Sequence, residues 1–384
     1  MKKRKKFLVF GQPKIGQAEI SEVVRTLRSG WIGTGPKVAK FEEDFRRYKQ
    51  AGYATAVSSG TAALHLSAMA SGIGNGDEVI TTALTFCATV NAIIHAQATP
   101  VLADVEPVTM NIDPGQIRKK ITSKTKAILP VHLAGRPCRM DEILAIAKEY
   151  NLKIIEDCAH AIEANYKGKS TGTFGNFGCF SFYVTKNLVT AEGGMILTDK
   201  EDTANRIKIL ALHGMTKDAW GRFSDKGYKH YDVVERGFKY NMTDIQASLG
   251  IHQLKRLESN WRRRAKIWQK YNDAFFDLAV TVPAPVSPAM KHGYHLYTLL
   301  LEKEKCGICR DEFMQEMYER NIGTGVHYRS IPEYTYYQRA FGFKPEDYPV
   351  ATRIGRQTVS LPLSAGLSDR DVEYVIWAVR DILK

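Results

Sequence analysis

Short β-branched and apolar runs alternate with amphipathic segments from Tyr53 to about Gly214. Runs such as "YATAVSS", "DEVITTAL", "KAILPVH" and "LKIIEDCA" are typical of buried strands, and "TAALHLSAMASG" and "MDEILAIAKEYN" have helical spacing. Strands joined by crossover helices pair in parallel and are covered on both faces. The sequence therefore predicts an α/β fold with a mostly parallel central sheet. Ligands of such sheets bind at the carboxyl ends of the strands.

The length of the chain, 384 residues, exceeds the roughly 100–200 residues of one typical domain. Apolar residues recur every three to five positions from Ile245 to Tyr271, which predicts a long helix, and "VPAPVSP" at 282–288 has the composition of a linker. The segments beyond it indicate a small α+β unit. We predict a large domain at residues 1–250, and a long connecting helix with a small C-terminal α+β domain at 251–384. Residues 215–240 lack a period and are predicted to form a long functional loop.

Composition narrows the class of protein. No stretch approaches the ~18–20 apolar residues of a membrane span, and the N-terminus lacks the pattern of a signal peptide. We therefore expect a soluble cytoplasmic protein, in which the six scattered cysteines are free thiols. Only Cys306 and Cys309 have metal-like spacing, and no second pair completes a zinc site, so no metal is expected.

The net charge of +13 allows nucleic acid, an anionic surface or an anionic small molecule as a partner. Successive helical residues point about 100° apart, so the three arginines at 262–264 cannot all face one groove. The sequence contains no recognised nucleic-acid motif or ladder of stacking aromatics. We expect a small anionic molecule as the partner, and neither a nucleic acid nor a membrane.

The stretch "AVSSGTAALHL" leads from a strand into a helix and places Gly60, Thr61 and Ala62 at the helix N-terminus. Unpaired N–H groups and the positive end of the helix dipole attract a phosphate there. The alternative is that Ser59 is an ordinary helix N-cap.

Two charged residues follow predicted strands. Asp157 ends the strand of "KIIEDCAHA", where a buried carboxylate needs a cation such as a protonated pyridine nitrogen; the alternative is a structural salt bridge. Lys186 follows the strand "CFSFYVT". A partly desolvated lysine has a depressed pKa, and its neutral amine can form a Schiff base.

Two further residues fall at the same predicted edge of the sheet. Phe86 follows the strand of "DEVITTAL" and could stack on a planar ring, or simply pack in the core. Ser181 could donate its hydroxyl to a phosphate, and Gly193 and Gly194 would let the backbone approach closely. The candidate phosphate site, the stacking aromatic residue, the acid and the lysine occur along the chain in the order that pyridoxal 5′-phosphate (PLP) enzymes use.

The sequence resembles the DegT/DnrJ/EryC1/StrS family of PLP-dependent sugar aminotransferases of fold type I over nearly its whole length. The segments that carry the resemblance are "GWIGTGPKVAKFE", "AVSSGTAALHL", "DEVITTALTFCATVNAI", "IIEDCAHAIEA", "FSFYVTKNLVTAEGGM", "GFKYNMTDIQASLG" and "GVHYRSIP". Members that act as dehydratases carry His in place of the Schiff-base lysine. Lys186 therefore favours the aminotransferase activity.

The resemblance implies roles for the candidate residues. Lys186 forms the Schiff base with the cofactor and then moves the proton between cofactor and substrate carbons. Asp157 holds the pyridine nitrogen protonated, His160 binds the ring oxygen and Phe86 stacks on the ring. The phosphate is bound by the helix start and by a strand residue, namely Gly60, Thr61, Ala62 and Ser181.

The resemblance also implies a homodimer with shared active sites. Asn241 of "GFKYNM" would reach the phosphate of the partner subunit, with Lys239 as the alternative. Residues near the sugar would be Trp31, Gly33 and Thr34 from "GWIGTGPKV", and His327 and Tyr328 from "VHYRSIP"; the alternative for both segments is loop packing.

The reaction implied is a two-step transamination. Glutamate or glutamine gives its amino group to the cofactor, which passes it to a nucleotide-linked 4-keto-6-deoxy sugar, UDP-linked and aminated at C4, in surface-polysaccharide or glycoconjugate synthesis. The alternatives are amination at C3 of a dTDP-linked sugar, or a regulatory member of the family without turnover.

Overall fold

The computed structural model describes residues 3–216 and 230–383 of the chain. Its α-helices are α1 (Gln17–Ser29), α2 (Pro36–Lys49), α3 (Gly60–Ala70), α4 (Cys87–His95), α5 (Pro114–Lys120), α6 (Met140–Glu149), α7 (Glu201–Ala211), α8 (Asp244–Lys255), α9 (Leu257–Phe275), α10 (Lys303–Cys306), α11 (Arg310–Glu319), α12 (Thr335–Phe341), α13 (Pro349–Gln357) and α14 (Asp369–Ile382). Its strands are β1 (Tyr53–Val57), β2 (Glu78–Thr82), β3 (Thr99–Ala103), β4 (Thr125–Leu129), β5 (Lys153–Asp157), β6 (Asn165–Tyr166), β7 (Lys169–Ser170), β8 (Phe177–Ser181), β9 (Gly194–Thr198), β10 (Met290–Lys291), β11 (Tyr297–Leu300) and β12 (Thr358–Leu361). Residues 217–229 of the predicted long loop lie outside the described residues.

The central sheet has seven strands in the order β1-β9-β8-β5-β4-β2-β3. The pairs β2–β3, β2–β4, β4–β5 and β5–β8 are parallel, whereas β9 runs antiparallel to both of its neighbours. The predicted α/β class with a mostly parallel sheet is confirmed. Because β1, β2, β5 and β8 all run the same way, the loops that follow them meet at one edge of the sheet.

Side chains of successive strand residues enter different cores on the two faces of this sheet. Cys179 packs with the helices α3 and α7, and its neighbour Phe180 packs with Phe41 and Phe45 of α2 on the opposite face. Alternate residues of a strand point to opposite faces, so a strand covered on both sides is apolar throughout. This double cover explains why the strand sequences lack polar alternation.

A second core surrounds the antiparallel pair β11–β12 and contains side chains of α9, α11 and α14. Tyr297 of β11 and Phe275 of α9 are fully buried in it. Leu8, near the start of the chain, also lies in this core and pairs with Ile322. The predicted division after residue 250 stays a prediction.

The helical pattern from Ile245 to Tyr271 forms two helices rather than the single long helix predicted. The break is at Arg256, whose backbone angles (φ −108°, ψ 8°) leave the helical region. Its guanidinium bonds Glu19 of α1 at 3.1 Å and the carbonyl of Lys14. This contact of Arg256 with α1 is tertiary, so the spacing of apolar residues along the sequence does not reveal it. Across the described ranges, no helix is long and apolar enough to span a bilayer.

Candidate active site

A pocket of about 610 Å³ lies at the edge of the sheet where β1, β2, β5 and β8 end. Nine of the residues predicted for the site line it: Gly60, Thr61, Phe86, Asp157, His160, Ser181, Lys186, His327 and Tyr328. The first seven end or follow strands of the central sheet, and the last two come from the segment between α11 and α12. The topology therefore brings together residues that are up to about 270 positions apart in the chain, as crossover connections allow.

The start of α3 forms one wall of the pocket. Ser59 is its N-cap and accepts the N–H of Ala62 at 3.0 Å, so the N-cap interpretation is correct for Ser59. Ala62 is 3% exposed and lies behind the wall rather than on it. A Cβ on Gly60 would meet Cβ of Ser181 at 2.8 Å, so only glycine fits this approach of helix and strand. First-turn N–H groups lack intrahelical partners, which leaves this wall suited to an anion.

The carboxylate of Asp157 lies deep in the pocket. Its Oδ1 accepts the N–H of Ala159 at 3.1 Å, and its Oδ2 accepts the hydroxyl of Thr89 at 2.9 Å. The hydroxyl of Thr89 is in turn hydrogen-bonded to the hydroxyl of Thr85 at 2.8 Å. Burial raises the pKa of Asp157, and the two donors and the charge of Lys186 oppose that rise. Within the described ranges, no lysine or arginine lies close enough for an ion pair with this carboxylate.

The adjacent carboxylate, Glu156, points to the other side of the strand. It accepts the backbone N–H groups of Gly172, Phe174 and Gly175 at 2.7–2.8 Å and is 3.1 Å from His132 Nε2. These contacts satisfy both of its oxygens without a ligand. Glu156, His132 and Cys158 are close enough together to hold a metal ion, but Glu156 already has this full set of donors. The carboxylate that faces the pocket is Asp157.

Lys186 lies in the loop that follows β8, with its side chain half-buried against the pocket. Burial lowers the pKa of its amine to about 8, and the negative charge of Asp157 works in the opposite direction. The neutral amine, which is the nucleophilic form, is therefore accessible near physiological pH.

Aromatic and imidazole rings form the opposite wall. His160 accepts the N–H of Ala134 on Nδ1 at 3.3 Å, and its Nε2 lies 3.0 Å from the hydroxyl of Tyr328. Phe86 is 55% exposed, and its ring centroid lies 5.7 Å from that of Tyr328. Phe86 is thus on the pocket wall rather than in the core. Burial lowers the pKa of His160 well below its usual value and that of His327 to about 4, so both rings are neutral at pH 7.

Besides Ala62, four predicted residues lie outside the pocket lining of their own chain: Trp31, Gly33, Thr34 and Asn241. The amide of Asn241 donates to Thr34 Oγ1 at 2.6 Å, and the indole of Trp31 donates to the carbonyl of Thr34 at 3.2 Å. Gly33 accepts the N–H of Asp244 at 2.7 Å. Lys239, the alternative to Asn241, is exposed. These residues form a separate cluster, which we call the 31–34/241 cluster.

Several pocket residues were missed in the sequence. Thr85 and Thr89 form the donor chain to Asp157, and His295 enters from the segment before β11. Threonines in an apolar run at the end of a strand gave a weak signal for the first two. Nothing in "GYHLYTLLLE" distinguishes His295 from a core histidine, since only the fold brings it to this edge.

A half-buried lysine and a buried carboxylate at the carboxyl edge of a mostly parallel sheet are the arrangement of a pyridoxal-phosphate-type transferase. The model of the DegT/DnrJ/EryC1/StrS aminotransferase family matches residues 13–380, so the chain belongs to this family. The predicted family, fold type and enzyme class are confirmed.

Individual proteins agree with this assignment over full length. The spore coat polysaccharide biosynthesis protein SpsC of Bacillus subtilis is 47% identical over 385 residues, which cover 100% of this chain and 99% of SpsC. MJ1066 of Methanocaldococcus jannaschii is 48% identical over 380 residues, 99% of this chain and 98% of its own. The PMP-form structure of the putative sugar aminotransferase Spr1654 from Streptococcus pneumoniae has a TM-score of 0.90 and 36% identity, with 98% and 97% of the two chains covered.

Proposed function

We propose that this chain transfers an amino group from glutamate or glutamine to a UDP-linked 4-keto-6-deoxy sugar at C4, for synthesis of a surface polysaccharide or glycoconjugate. Sugar amination is the activity of its family, and the name of SpsC supports a polysaccharide pathway. The observation that carries the amino-transfer part of the proposal is that the amine of Lys186 and the carboxylate of Asp157 line the same pocket. All six cysteines are free thiols, which supports the proposed cytoplasmic location.

The cofactor is pyridoxal 5′-phosphate, as the sequence predicted: the family depends on it, and Spr1654 has been solved in both its PLP form and its PMP form. The pocket of this chain fits the group. A glycine without room for a Cβ lies beside Ser181 at the helix start, and a buried carboxylate without a cationic partner among the described residues lies deeper in the pocket. When bound, the cofactor supplies an electron sink that stabilises negative charge at the carbon bearing the amino group.

Asp157 acts on the pyridine nitrogen in this proposal. Its desolvated carboxylate is held by Ala159 and Thr89, and a cationic ring N–H is the partner that compensates its burial. By keeping that nitrogen protonated, Asp157 maintains the electron-withdrawing power of the ring.

Lys186 acts as the nucleophile and then as the proton carrier. Its depressed pKa keeps part of the amine neutral at pH 7, so the amine can take a proton from the carbon that bears the amino group. The same amine, now charged, returns the proton on the other side of the transfer. Asp157 stabilises the charged form in the interval.

The remaining pocket residues bind and orient. We assign phosphate binding to the backbone of Gly60 and Thr61 and the hydroxyl of Ser181, and ring stacking to Phe86. His160 is assigned to the ring oxygen. His327 and Tyr328 close the substrate side of the pocket and exclude water.

We also propose a homodimer in which the 31–34/241 cluster completes the pocket of the partner subunit. The cluster lies outside the pocket of its own chain, and Asn241 pairs with Val57, the last residue of the strand that leads to the phosphate wall. Large apolar side chains are exposed on the neighbouring helix α1, at Ile20, Val24 and Leu27. Contiguous exposed apolar residues are typical of an interface.

The activity is tested with purified protein and keto sugars. The holoenzyme should absorb as a PLP protein, bleach with glutamate, and aminate a UDP-linked 4-keto-6-deoxy sugar at C4, with the position read by NMR. Lys186→Ala should lose the absorbance band and all turnover. A product aminated only at C3 would overturn the proposed regiochemistry, and wild-type protein that binds no PLP would overturn the enzyme proposal.

The shared site is tested by complementation. Lys186→Ala and Asn241→Ala homodimers should each be inactive or strongly impaired, because each damages both pockets. A mixed dimer should regain activity in the one pocket that receives wild-type residues from both chains. If mixing restores nothing although mixed dimers form, Asn241 does not act in the partner's pocket.

A further inference from the structure

Asp244 is a buried carboxylate that lies beside the 31–34/241 cluster. It is the first residue of α8, is 1% exposed, and lies outside the pocket lining. Burial of a carboxylate is unfavourable unless hydrogen-bond donors satisfy its oxygens. The donors that Asp244 accepts therefore show what this residue does in the fold.

The carboxylate of Asp244 caps the N-terminus of another helix, α2. Its Oδ1 accepts the N–H of Gly35 at 2.8 Å and that of Val38 at 3.0 Å. Its Oδ2 accepts the N–H of Lys37 at 3.0 Å. Pro36 has no N–H, so these three bonds satisfy the donors with which α2 begins.

The start of α2 cannot supply such a cap by itself. Its N-cap residue is Gly35, which has no side chain, and no acidic residue occurs in the first turn of this fully described helix. A Cβ on Gly35 would meet the indole of Trp31 at 1.7 Å, so a residue with a capping side chain does not fit there. A negative charge is favourable at a helix N-terminus. Asp244 supplies that charge from a distant part of the chain.

The same residue joins the two segments of the 31–34/241 cluster. The N–H of Asp244 donates to the carbonyl of Gly33 at 2.7 Å. Thr34 Oγ1 donates to the carbonyl of Met242 at 2.5 Å and accepts the amide of Asn241 at 2.6 Å. Asp244 thus takes part in most of the hydrogen bonds that hold the two segments together.

We propose that Asp244 positions the 31–34/241 cluster and so determines how well this cluster completes the pocket of the partner subunit. The inference rests on the proposed homodimer. Without the carboxylate, three N–H groups at the start of α2 lose their acceptor, and the segment before α2 loses its fixed position against Asn241. Because Asp244 is buried within its own chain, it is a positioning residue rather than a catalytic one.

Two substitutions of Asp244 remove the cap to different extents. Asp244→Ala removes every acceptor. Asp244→Asn keeps one oxygen, which can still accept the N–H groups of Gly35 and Val38, but its NH₂ group would face the N–H of Lys37. Asp244→Asn should therefore have an intermediate effect, and it serves the same tests if Asp244→Ala does not fold.

The matched control is Asp104→Ala. Asp104 is 7% exposed and caps α13, which also begins with a proline. Its carboxylate accepts the N–H groups of Val350 at 3.0 Å, Ala351 at 2.8 Å and Val105 at 2.9 Å, outside the pocket lining. Both alanine variants thus deprive three backbone N–H groups of a buried carboxylate, but only Asp244 contacts the 31–34/241 cluster.

The first readout is the affinity of the cofactor-free protein for PLP, measured by fluorescence titration. Asp244→Ala should weaken binding about tenfold or more, because a displaced Asn241 no longer holds its hydrogen bond to the charged phosphate. Asp104→Ala should unfold at a lower urea concentration than wild type, as Asp244→Ala does, but keep the wild-type affinity. Equal PLP affinity in the two alanine variants would overturn the proposal.

The second readout separates a defect in the partner's pocket from damage to the chain that carries the substitution. A mixed dimer of Asp244→Ala and Lys186→Ala chains has one pocket with a wild-type lysine and an intact cluster from the other chain. That pocket should aminate the keto sugar, so the mixed dimer should regain the activity of one of its two pockets.

The mixture of Asn241→Ala and Lys186→Ala chains is the reference for this experiment. If the reference mixture regains activity and the Asp244→Ala mixture does not, Asp244 acts only within its own chain and the proposal is wrong. If neither mixture regains activity although mixed dimers form, the proposed shared pocket is wrong, and the role of Asp244 in the partner's pocket is wrong with it.

Discussion

The hydroxyl of Thr89 is the one side-chain donor to Asp157 among the described residues, so Thr89→Val is a direct test of the role of that carboxylate. Thr89 is 1% exposed, and valine matches its shape while removing only the hydroxyl. Asp157 would keep the backbone N–H of Ala159 and lose half of its donors. The carboxylate then becomes more basic, because the charged form has lost stabilisation while the protonated form has not.

The size of the effect follows from this geometry. A hydrogen bond to a charged group contributes about 1.5–3 kcal/mol, which is about 10- to 100-fold in an equilibrium constant. The proton shared between Asp157 and the pyridine nitrogen should move toward Asp157 by this factor. Since the ring withdraws electrons less well without that proton, the limiting rate with glutamate should fall by about tenfold or more.

The assay is single-turnover reaction with glutamate, accompanied by urea unfolding of the cofactor-free protein. The matched control is Thr81→Val, since Thr81 is also fully buried and donates its hydroxyl to the carbonyl of Leu129 at 2.8 Å, outside the pocket. Thr89→Val loses the buried hydrogen bonds to Asp157 and Thr85, and Thr81→Val loses the one to Leu129, but only Thr89→Val should slow the reaction. If the two variants react at the same rate, the donor chain to Asp157 has no part in the chemistry.

Three further substitutions test the pocket wall, the lysine and the buried ion pair between Glu163 and Arg264. Gly60→Ala should weaken PLP binding, measured by fluorescence titration, because the added Cβ meets Ser181 at 2.8 Å; Gly74→Ala, with open space around it, should not. In cofactor-free protein, Lys186→Met should be more stable than wild type at pH 7, because burial holds the pKa of Lys186 at about 8, below the usual 10.5. Between these two pKa values the unfolded wild-type chain binds more protons than the folded chain, so the wild type gains stability as the pH rises. The difference in unfolding free energy between the variant and the wild type, measured by urea unfolding, should therefore shrink over this range. A constant difference would contradict the low pKa. Glu163→Gln should cost about 3–5 kcal/mol of unfolding free energy because it leaves a buried arginine unpaired, and an unchanged urea midpoint would refute this.

The sequence alone was sufficient for the sheet and for the residues at the ends of its strands. Alternation of strand and helix patterns forces crossovers, and crossovers place the ends of β5 and β8 at one edge. Asp157, Ser181 and Lys186 were therefore predictable as neighbours without any knowledge of distances. The break at Arg256 was not predictable, because the apolar period continues through it and only the contact with α1 explains it.

The local sequence pattern could not determine which of two equivalent chemical groups faces the pocket. Glu156 and Asp157 are consecutive carboxylates, and the pleat of β5 decided that Asp157 faces the pocket while Glu156 binds backbone N–H groups on the other side. Similarly, Ala62 of α3 is buried behind the pocket wall, whereas Thr61 before it and Leu64 after it line the pocket.

The sequence by itself determined the family and the cofactor, and it predicted Lys186 as the reactive lysine, because these depend on motifs that are contiguous in the chain. The tertiary structure decided what each group can do: the desolvation that lowers the pKa of Lys186, the donors that hold Asp157, and the burial that keeps His160 and His327 neutral. These properties arise from residues such as Thr89, which is distant in sequence from the carboxylate that it holds and carries no motif of its own. Burial and hydrogen-bond direction are properties of the packed fold, so only the fold could reveal them.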